Sequence, residues 1–337
     1  MQVEGLSFKQ AVSRISKMTS SGISLKHYHN SIKVKERAWS IYQSIAKAHP
    51  DPVIKYAESR GWTKLPPVGL SINPTTLSNA GIPLNQLRKA GLVTKWDKEY
   101  YDNHLIFPIY NKDKNVIHFN ARNLDKEADL RWLSTEGQPG IDRFFYNSEL
   151  LFNQDQQRDY LVICEGISDC LSLAQLDVSA IAQFGVHVNL AAYCKEFSAF
   201  KGIIAMFDGD RHAVGSTHSG QYKSWEGMLP QLIDLMTLSK TPIYYLLPPD
   251  EDGITDINDW LKSIEYSQEE YVAYGRAHLK PIVALAIEMY FDRVDKHELV
   301  WRCLEEDRNA WYENVWVESL EKKYGSLREY LIHVYRF

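Results

Sequence analysis

Asp208 and Asp210 stand two residues apart at the end of an apolar run, Gly202 to Phe207. In extended backbone, side chains two apart leave the same face. Two carboxylates about 4 Å apart repel by roughly 4 kcal/mol at an effective dielectric near 20, so a cation held between them is the simplest reason for the pairing. Carboxylates are hard oxygen donors and suit Mg²⁺ or Mn²⁺ rather than zinc. Glu165 and Asp169, spaced i and i+4, follow a second apolar run, Tyr160 to Cys164, and Gly166 lets the chain turn between them. A third acidic group, Asp256-Ile257-Asn258-Asp259, follows a third run, Pro242 to Leu247. Asp256 is expected to reach the cation and Asp259 to begin a helix. The chemistry such a set supports is phosphoryl transfer assisted by divalent ions. The competing reading is a solvated sheet edge, against which the same Coulomb cost recurs at three strand ends.

Positioning these acids requires a particular scaffold. Short apolar runs bounded by Gly and acids read as buried parallel strands. Between them lie helical patterns at Asp169 to Leu176, Asn189 to Phe200 and Trp225 to Met236, and a further strand at Val178 to Phe184. Strand and helix alternating at this spacing predict right-handed βαβ units around a parallel sheet, with the acids at its carboxyl edge, where open α/β sheets bind ligands. Upstream, residues 33–61 predict one or two helices with Trp39, Tyr42, Ile45 and Ala46 on one face. Leu105 to Tyr110 and Val116 to Phe119 predict a hairpin across Asn111 to Asn115.

The order strand-Glu-Gly-x-x-Asp, strand-Asp-x-Asp, then an acidic segment before a helix resembles the TOPRIM pattern shared by bacterial replicative primases, type IA and II topoisomerases and certain nucleases. Val162 to Gly185, Phe207 to Arg211 and Leu246 to Leu261 are similar to the primase version of it. So are Tyr56 to Trp62, Leu87 to Val93, Leu105 to Leu124 and Arg131 to Leu151, which resemble the amino-terminal part of the primase polymerase domain. The resemblance runs from about Trp39 to Leu261, roughly two thirds of the chain. It identifies the chain as similar to the RNA polymerase domain of DnaG-type bacterial and phage primases. The fold expected from it is α/β, a TOPRIM domain with a Rossmann-like parallel sheet, an N-terminal α+β primase subdomain and a C-terminal helical region. The expected divisions are 1–32 (helix and linker), 33–155 (α+β subdomain), 156–262 (TOPRIM domain) and 263–337 (helical region).

The resemblance implies synthesis of short RNA primers on single-stranded DNA by nucleotidyl transfer with Mg²⁺ or Mn²⁺, two ions in all. It implies Glu165, Asp208 and Asp210 as catalytic residues, and Glu165, Asp208, Asp210, Asp169 and Asp256 as metal ligands, Asp169 being open between ligation and orientation. Arg122, Arg211, Arg131 and Lys126 are the implied contacts to nucleotide or template phosphates; for Arg122 a surface salt bridge is the alternative. Trp132 is open between stacking on a base and packing in the core. Ribonucleoside triphosphates and single-stranded DNA are the implied partners, with a replicative helicase or a zinc-domain protein in trans as further candidates. The segment Gly5 to Ile15 resembles one that in primases follows a zinc-binding domain, and the expectation is a protein that lacks that domain. The pattern also departs from the family after Arg211, where a longer loop carries His212 and His218, and after Phe144-Phe145, where lysines are usual. A TOPRIM nuclease using the same acids with water, and a non-catalytic replication or interaction module, are the alternative readings.

Composition bounds the rest. The 337 residues carry a net charge of −5, which argues against tight non-specific DNA binding, since phosphate contacts come from Lys and Arg. Four cysteines without a CxxC pair point to a reducing cytosol and away from a zinc ribbon or disulfide framework. No apolar run reaches the ~20 residues that span a bilayer, and no secretory leader is expected at Met1 to Ser20. A cytoplasmic place in a bacterial cell follows as the expectation, with chromosomal, phage and plasmid origins all open. Ser7 with Gln10 forms a capping box for a first helix, and the polar stretch Ser20 to Ser31 reads as a linker whose His27 and His29 lack companion ligands. No Gly-rich GxxxxGKT loop is present, so a fused helicase motor is not expected.

Overall fold

The computed structural model describes residues 25–94, 96, 98–125, 127–135, 145–152, 158–183, 189–208, 223–290, 296, 298–299 and 302. The chain divides into two compact units, Met1–Tyr56 with Pro67–Asp142, and Ala57–Pro66 with Arg143–Phe337. The capping box at Ser7, the loop carrying His212 and His218, and most of the chain after 290 lie outside the described residues.

Among the described residues the first unit opens with α1 (Leu25–Ala48) and contains the start of α2 (Asp51–Arg60). Buried Ala38, Trp39, Tyr42 and Ala46 form the expected apolar stripe of α1, with Ile45 half-buried at its margin. The stripe lies on β1 (Gly69–Ser71), followed in the chain by two short helices, α3 (Thr76–Asn79) and α4 (Leu84–Lys89). A Cβ on Gly69 would stand 2.5 Å from Tyr42 Cβ and 2.9 Å from the Trp39 ring, so only glycine lets the helix approach this closely. The strands β2 (His104–Tyr110), β3 (Val116–Asn123) and β4 (Trp132–Ser134) complete an antiparallel sheet of order β1-β2-β3-β4. The β2–β3 turn falls where the sequence places it. Asn111 Oδ1 accepts from the Asp113 and Asn115 amides at 3.0 and 2.9 Å, and Lys114 takes a φ of 62°.

One expectation fails here. The expected linker to Ser31 is helix from Leu25 onward, so the 32/33 division falls inside α1. The polar composition that suggested a linker belongs in part to an exposed face, on which His29 and Asn30 sit, while Ser31, Ile32 and Lys35 are buried in register with Trp39.

The second unit carries α5 (Glu149–Phe152), β5 (Arg158–Cys164), α6 (Ile167–Gln175), β6 (Ala180–Ala182), a 3₁₀ turn (Leu190–Tyr193), α7 (Cys194–Phe197), β7 (Phe200–Met206), α8 (Lys223–Ser239) and β8 (Ile243–Tyr245). After them come α9 (Ile257–Ser263), α10 (Gln268–His278), β9 (Lys280–Pro281) and α11 (Ile282–Tyr290). The sheet order is β6-β5-β7-β8-β9; the first four strands are parallel and β9 is antiparallel to β8. Cys164 pairs with Met206 and Ala182, which brings the ends of three strands level and fixes where the chain leaves the sheet. Helix α8 packs its Trp225 edge-on to Phe207, with ring centroids 4.9 Å apart.

Two expectations are corrected in this unit. Asn189 to Phe200 is not one helix but a 3₁₀ turn and a single turn of α7; Ser198 Oγ bonds back to the Lys195 carbonyl and Phe200 enters β7. The residues after 262 do not begin a separate helical region. β9 extends the sheet beside β8, and Ile282, Val283, Leu285 and Ala286 of α11 are buried in the same core as Trp225. The apolar run from Ile282 needs such burial, and the open edge of β8 supplies the place.

Candidate active site

Glu165 and Asp208 sit just past strand ends, and Asp256 closes the loop that follows β8. β5 ends at Cys164, and Glu165 and Gly166 lead into α6, which carries Asp169 in its first turn. β7 ends at Met206, Phe207 is buried, and Asp208 follows. Asp256 follows β8 and caps α9, its Oδ1 accepting from the Asp259 amide at 2.7 Å. Asp259 itself accepts from the Thr255 hydroxyl at 2.6 Å.

Asp169 shows how these loops meet. It is 5% exposed and accepts the Gly166 amide at 3.1 Å, so it shapes the turn as well as lining the site. Burial pushes its carboxyl well above the usual carboxylate range, and Asp208, Asp256 and Glu165 each push it further, while the Gly166 amide opposes. Charge from the loops after β7 and β8, as well as from Glu165, thus reaches Asp169. Asp256 is also raised, chiefly by burial; the Asp259 amide opposes this, the Asp259 charge adds to it, and the Arg60 guanidinium pulls the other way. Like charges gathered this closely favour either a retained proton or a bound cation. The donor chemistry is that of a hard divalent ion. A ready cage is not preformed: among the described residues no group of three His, Cys, Asp or Glu side chains is placed to hold a metal ion. Asp210, Arg211, Lys126 and Arg143 lie outside the described residues.

Comparison with known proteins bears on this geometry. Residues 67–158 match the family model of the DNA primase catalytic core, N-terminal domain. The DNA primase of Thermotoga maritima is 24% identical over 321 residues, covering 87% of this chain and 52% of its own length. A DNA primase domain from Pseudomonas aeruginosa superposes with a TM-score of 0.67 at 17% identity, over 91% of this chain and 100% of that one. The DnaG primase catalytic domain bound to single-stranded DNA superposes with a TM-score of 0.63 at 17% identity, over 86% and 98%. The fold is that of the DnaG primase catalytic core. The chain spans about half the length of the Thermotoga maritima primase, and 35% and 20% of the Legionella pneumophila and Mycoplasma genitalium primases that it also matches.

In the part that matches the primase family model, Arg122 lies within β3, paired with Leu105 and Trp132, rather than just after the strand. Its guanidinium stands 5.4 Å from the centroid of the Trp132 ring. Trp132 is half-buried and also lies 5.8 Å from Phe107, which favours packing over base stacking. Arg131 is exposed, and its carbonyl accepts from the Asn123 amide at 2.9 Å.

Sequence reasoning missed two features. Lys35 is 1% exposed and donates to the Ile117 carbonyl at 2.8 Å; burial pulls its amine down to about 8. A lysine inside the apolar stripe of α1 was the available signal. The second is a polar cluster behind the acids, comprising Arg60, Trp62, Ser172, Asn258 and Tyr266, of which only the Arg60-Gly61-Trp62 segment carries a legible motif.

Proposed function

We propose that the protein is a nucleotidyltransferase that makes short RNA primers on single-stranded DNA. What supports this reading is the placing of Glu165, Asp208 and Asp256 in the loops that follow three parallel strands, with Asp169 in the first turn of α6, in a fold shared with primase catalytic cores. Asp208, Asp210, Glu165 and Asp256 would hold Mg²⁺ or Mn²⁺. Bound there, two such ions supply activation of an attacking 3′-hydroxyl and neutralisation of a leaving pyrophosphate. The chain's own residues do the positioning. Gly166 and Asp169 hold the turn that presents Glu165, which assists the proton's departure from the hydroxyl. The Asp259 amide holds Asp256 in its capping geometry. Arg122 and Arg131, with Lys126 and Arg211, contact template or nucleotide phosphates, and the ssDNA carried by one structural neighbour supports a single-stranded template. A helicase and a zinc-domain protein acting in trans are the further partners this reading admits, at a place in the bacterial cytoplasm.

The test is incorporation of labelled ribonucleotides on single-stranded DNA with Mn²⁺. Wild type is expected to yield short RNA products, and Asp208→Ala or Asp210→Ala to lose at least 100-fold in rate, on the order of 3 kcal/mol, while keeping the wild-type circular dichroism spectrum. Retained synthesis in both variants would refute the assignment of the acids. Nicking of the DNA without any extension product would replace primer synthesis by hydrolysis at the same site.

A further inference from the structure

Behind Asp256 and Asp169 lies a set of hydrogen bonds centred on Asn258. This residue is 2% exposed, in the first turn of α9, two positions after Asp256. Its amide nitrogen donates to Ser172 Oγ at 2.7 Å and to the Tyr266 hydroxyl at 2.8 Å, and lies 3.1 Å from the Arg60 carbonyl. Its amide oxygen accepts from Arg60 Nη1 at 3.1 Å. Ser172, fully buried, also accepts from Trp62 Nε1 at 2.9 Å, and the Tyr266 hydroxyl donates to the Arg60 carbonyl at 2.6 Å. Gly61, between Arg60 and Trp62, takes a φ of +76°, and the Tyr266 ring lies 3.0 Å from where its Cβ would be.

The placement of these partners matters more than their number. Ser172 follows Asp169 by three positions on α6, so the two share a face of that helix. Asn258 follows Asp256 by two at the head of α9. The Asn258–Ser172 bond therefore ties the helix bearing one acid to the helix bearing the other. The Arg60–Trp62 turn grips both ends of that tie, through Arg60 on Asn258 and Trp62 on Ser172. An amide is the side chain of this size that donates twice and accepts at once. Aspartate here would turn an oxygen towards the Arg60 carbonyl and add a negative charge beside Asp256.

We infer that Asn258 is a positioning residue of the acidic site, fixing Asp256 relative to the helix whose Asp169 holds the turn that presents Glu165, so that the Asp256 and Glu165 carboxylates address one divalent cation. It touches neither cation nor substrate. The inference rests on the divalent-ion reading of the site given above. Groups that orient metal ligands from behind typically cost 10–100-fold in affinity when removed.

The experiment is Mn²⁺ titration of the full chain by calorimetry, with nucleotide incorporation measured alongside. Asn258→Ala is expected to bind Mn²⁺ about 10-fold more weakly than wild type. Its kcat should fall at fixed Mn²⁺ and recover at high Mn²⁺, with KM for the nucleotide unchanged. Leu232→Ala, a cavity in the core of the same unit, lowers stability without touching the cluster and should leave Mn²⁺ affinity at the wild-type value. If Asn258→Ala does not fold, Trp62→Phe carries the test; it removes the indole donor to Ser172, which also acts on the Tyr266 hydroxyl, with some buried ring volume that Leu232→Ala controls for, and a loss of about 3-fold is expected, below the full effect because Asn258 stays in place. Wild-type Mn²⁺ affinity in the variant, or an equal loss in Leu232→Ala, overturns the positioning role alone. A wild-type chain that takes up no Mn²⁺ overturns the divalent-ion reading and this inference with it.

Discussion

Lys35 shows how a single side chain sets a pH dependence. Its amine is pulled from 10.5 to about 8 by burial, so between about pH 8 and 10.5 the folded chain holds it neutral while the unfolded chain keeps it charged. The unfolded state then binds more protons, and stability rises with pH across that window. A shift of this size corresponds to on the order of 3 kcal/mol. Lys35→Met removes the burial cost and leaves the Ile117 carbonyl without its donor, a loss of about 1 kcal/mol. The variant is therefore expected to be more stable than wild type at pH 7 by about 1–2 kcal/mol, with the gain fading towards pH 10. Urea unfolding at pH 7 and at pH 10 measures it. His118, pushed down to about 4 by burial and then by the Lys35 charge, should titrate higher in the variant. The acids were legible in the sequence because they interrupt apolar runs at a fixed spacing. Lys35 showed only its place within the apolar stripe of α1; the carbonyl its amine bonds, 82 positions away, is given by no spacing rule. Asn258 was read only as part of an acidic stretch, because its role depends on Ser172, 86 positions away in the chain.

At the scale of elements, the strands were easier to place than the helices. β5 and β7 could be read from buried apolar runs ending in acids, and their ends came within a residue or two of the expected positions. β9 has two residues and no period of its own, so its place beside β8 is set by the sheet edge rather than by sequence. The N-terminal end of α1 was missed for a related reason: an amphipathic helix shows polar composition wherever its exposed face dominates a short window. Packing of α1 on β1 gives a direct test of the first unit. Gly69→Ala places a methyl 2.5 Å from Tyr42 Cβ, and the helix must move to admit it. The expected loss is about 1–3 kcal/mol, read as a lower denaturant midpoint with an unchanged slope. No loss would mean that the helix lies further from the strand than described.

At the scale of the whole molecule, the chain has the catalytic-core fold of DnaG primases in two units, one antiparallel and one largely parallel, and the acidic loops belong to the second. Among the described residues no helix is long and apolar enough to cross a membrane. The central claim is that carboxylates from three strand ends share a divalent ion. Anomalous diffraction from a crystal of this protein soaked in MnCl₂ tests it most directly. The account predicts a manganese peak within coordination distance, about 2.1–2.3 Å, of oxygens from Asp208, Glu165 and Asp256. Side chains turned away from one another with no peak beside Asp208, at Mn²⁺ concentrations that support nucleotide incorporation, would contradict it.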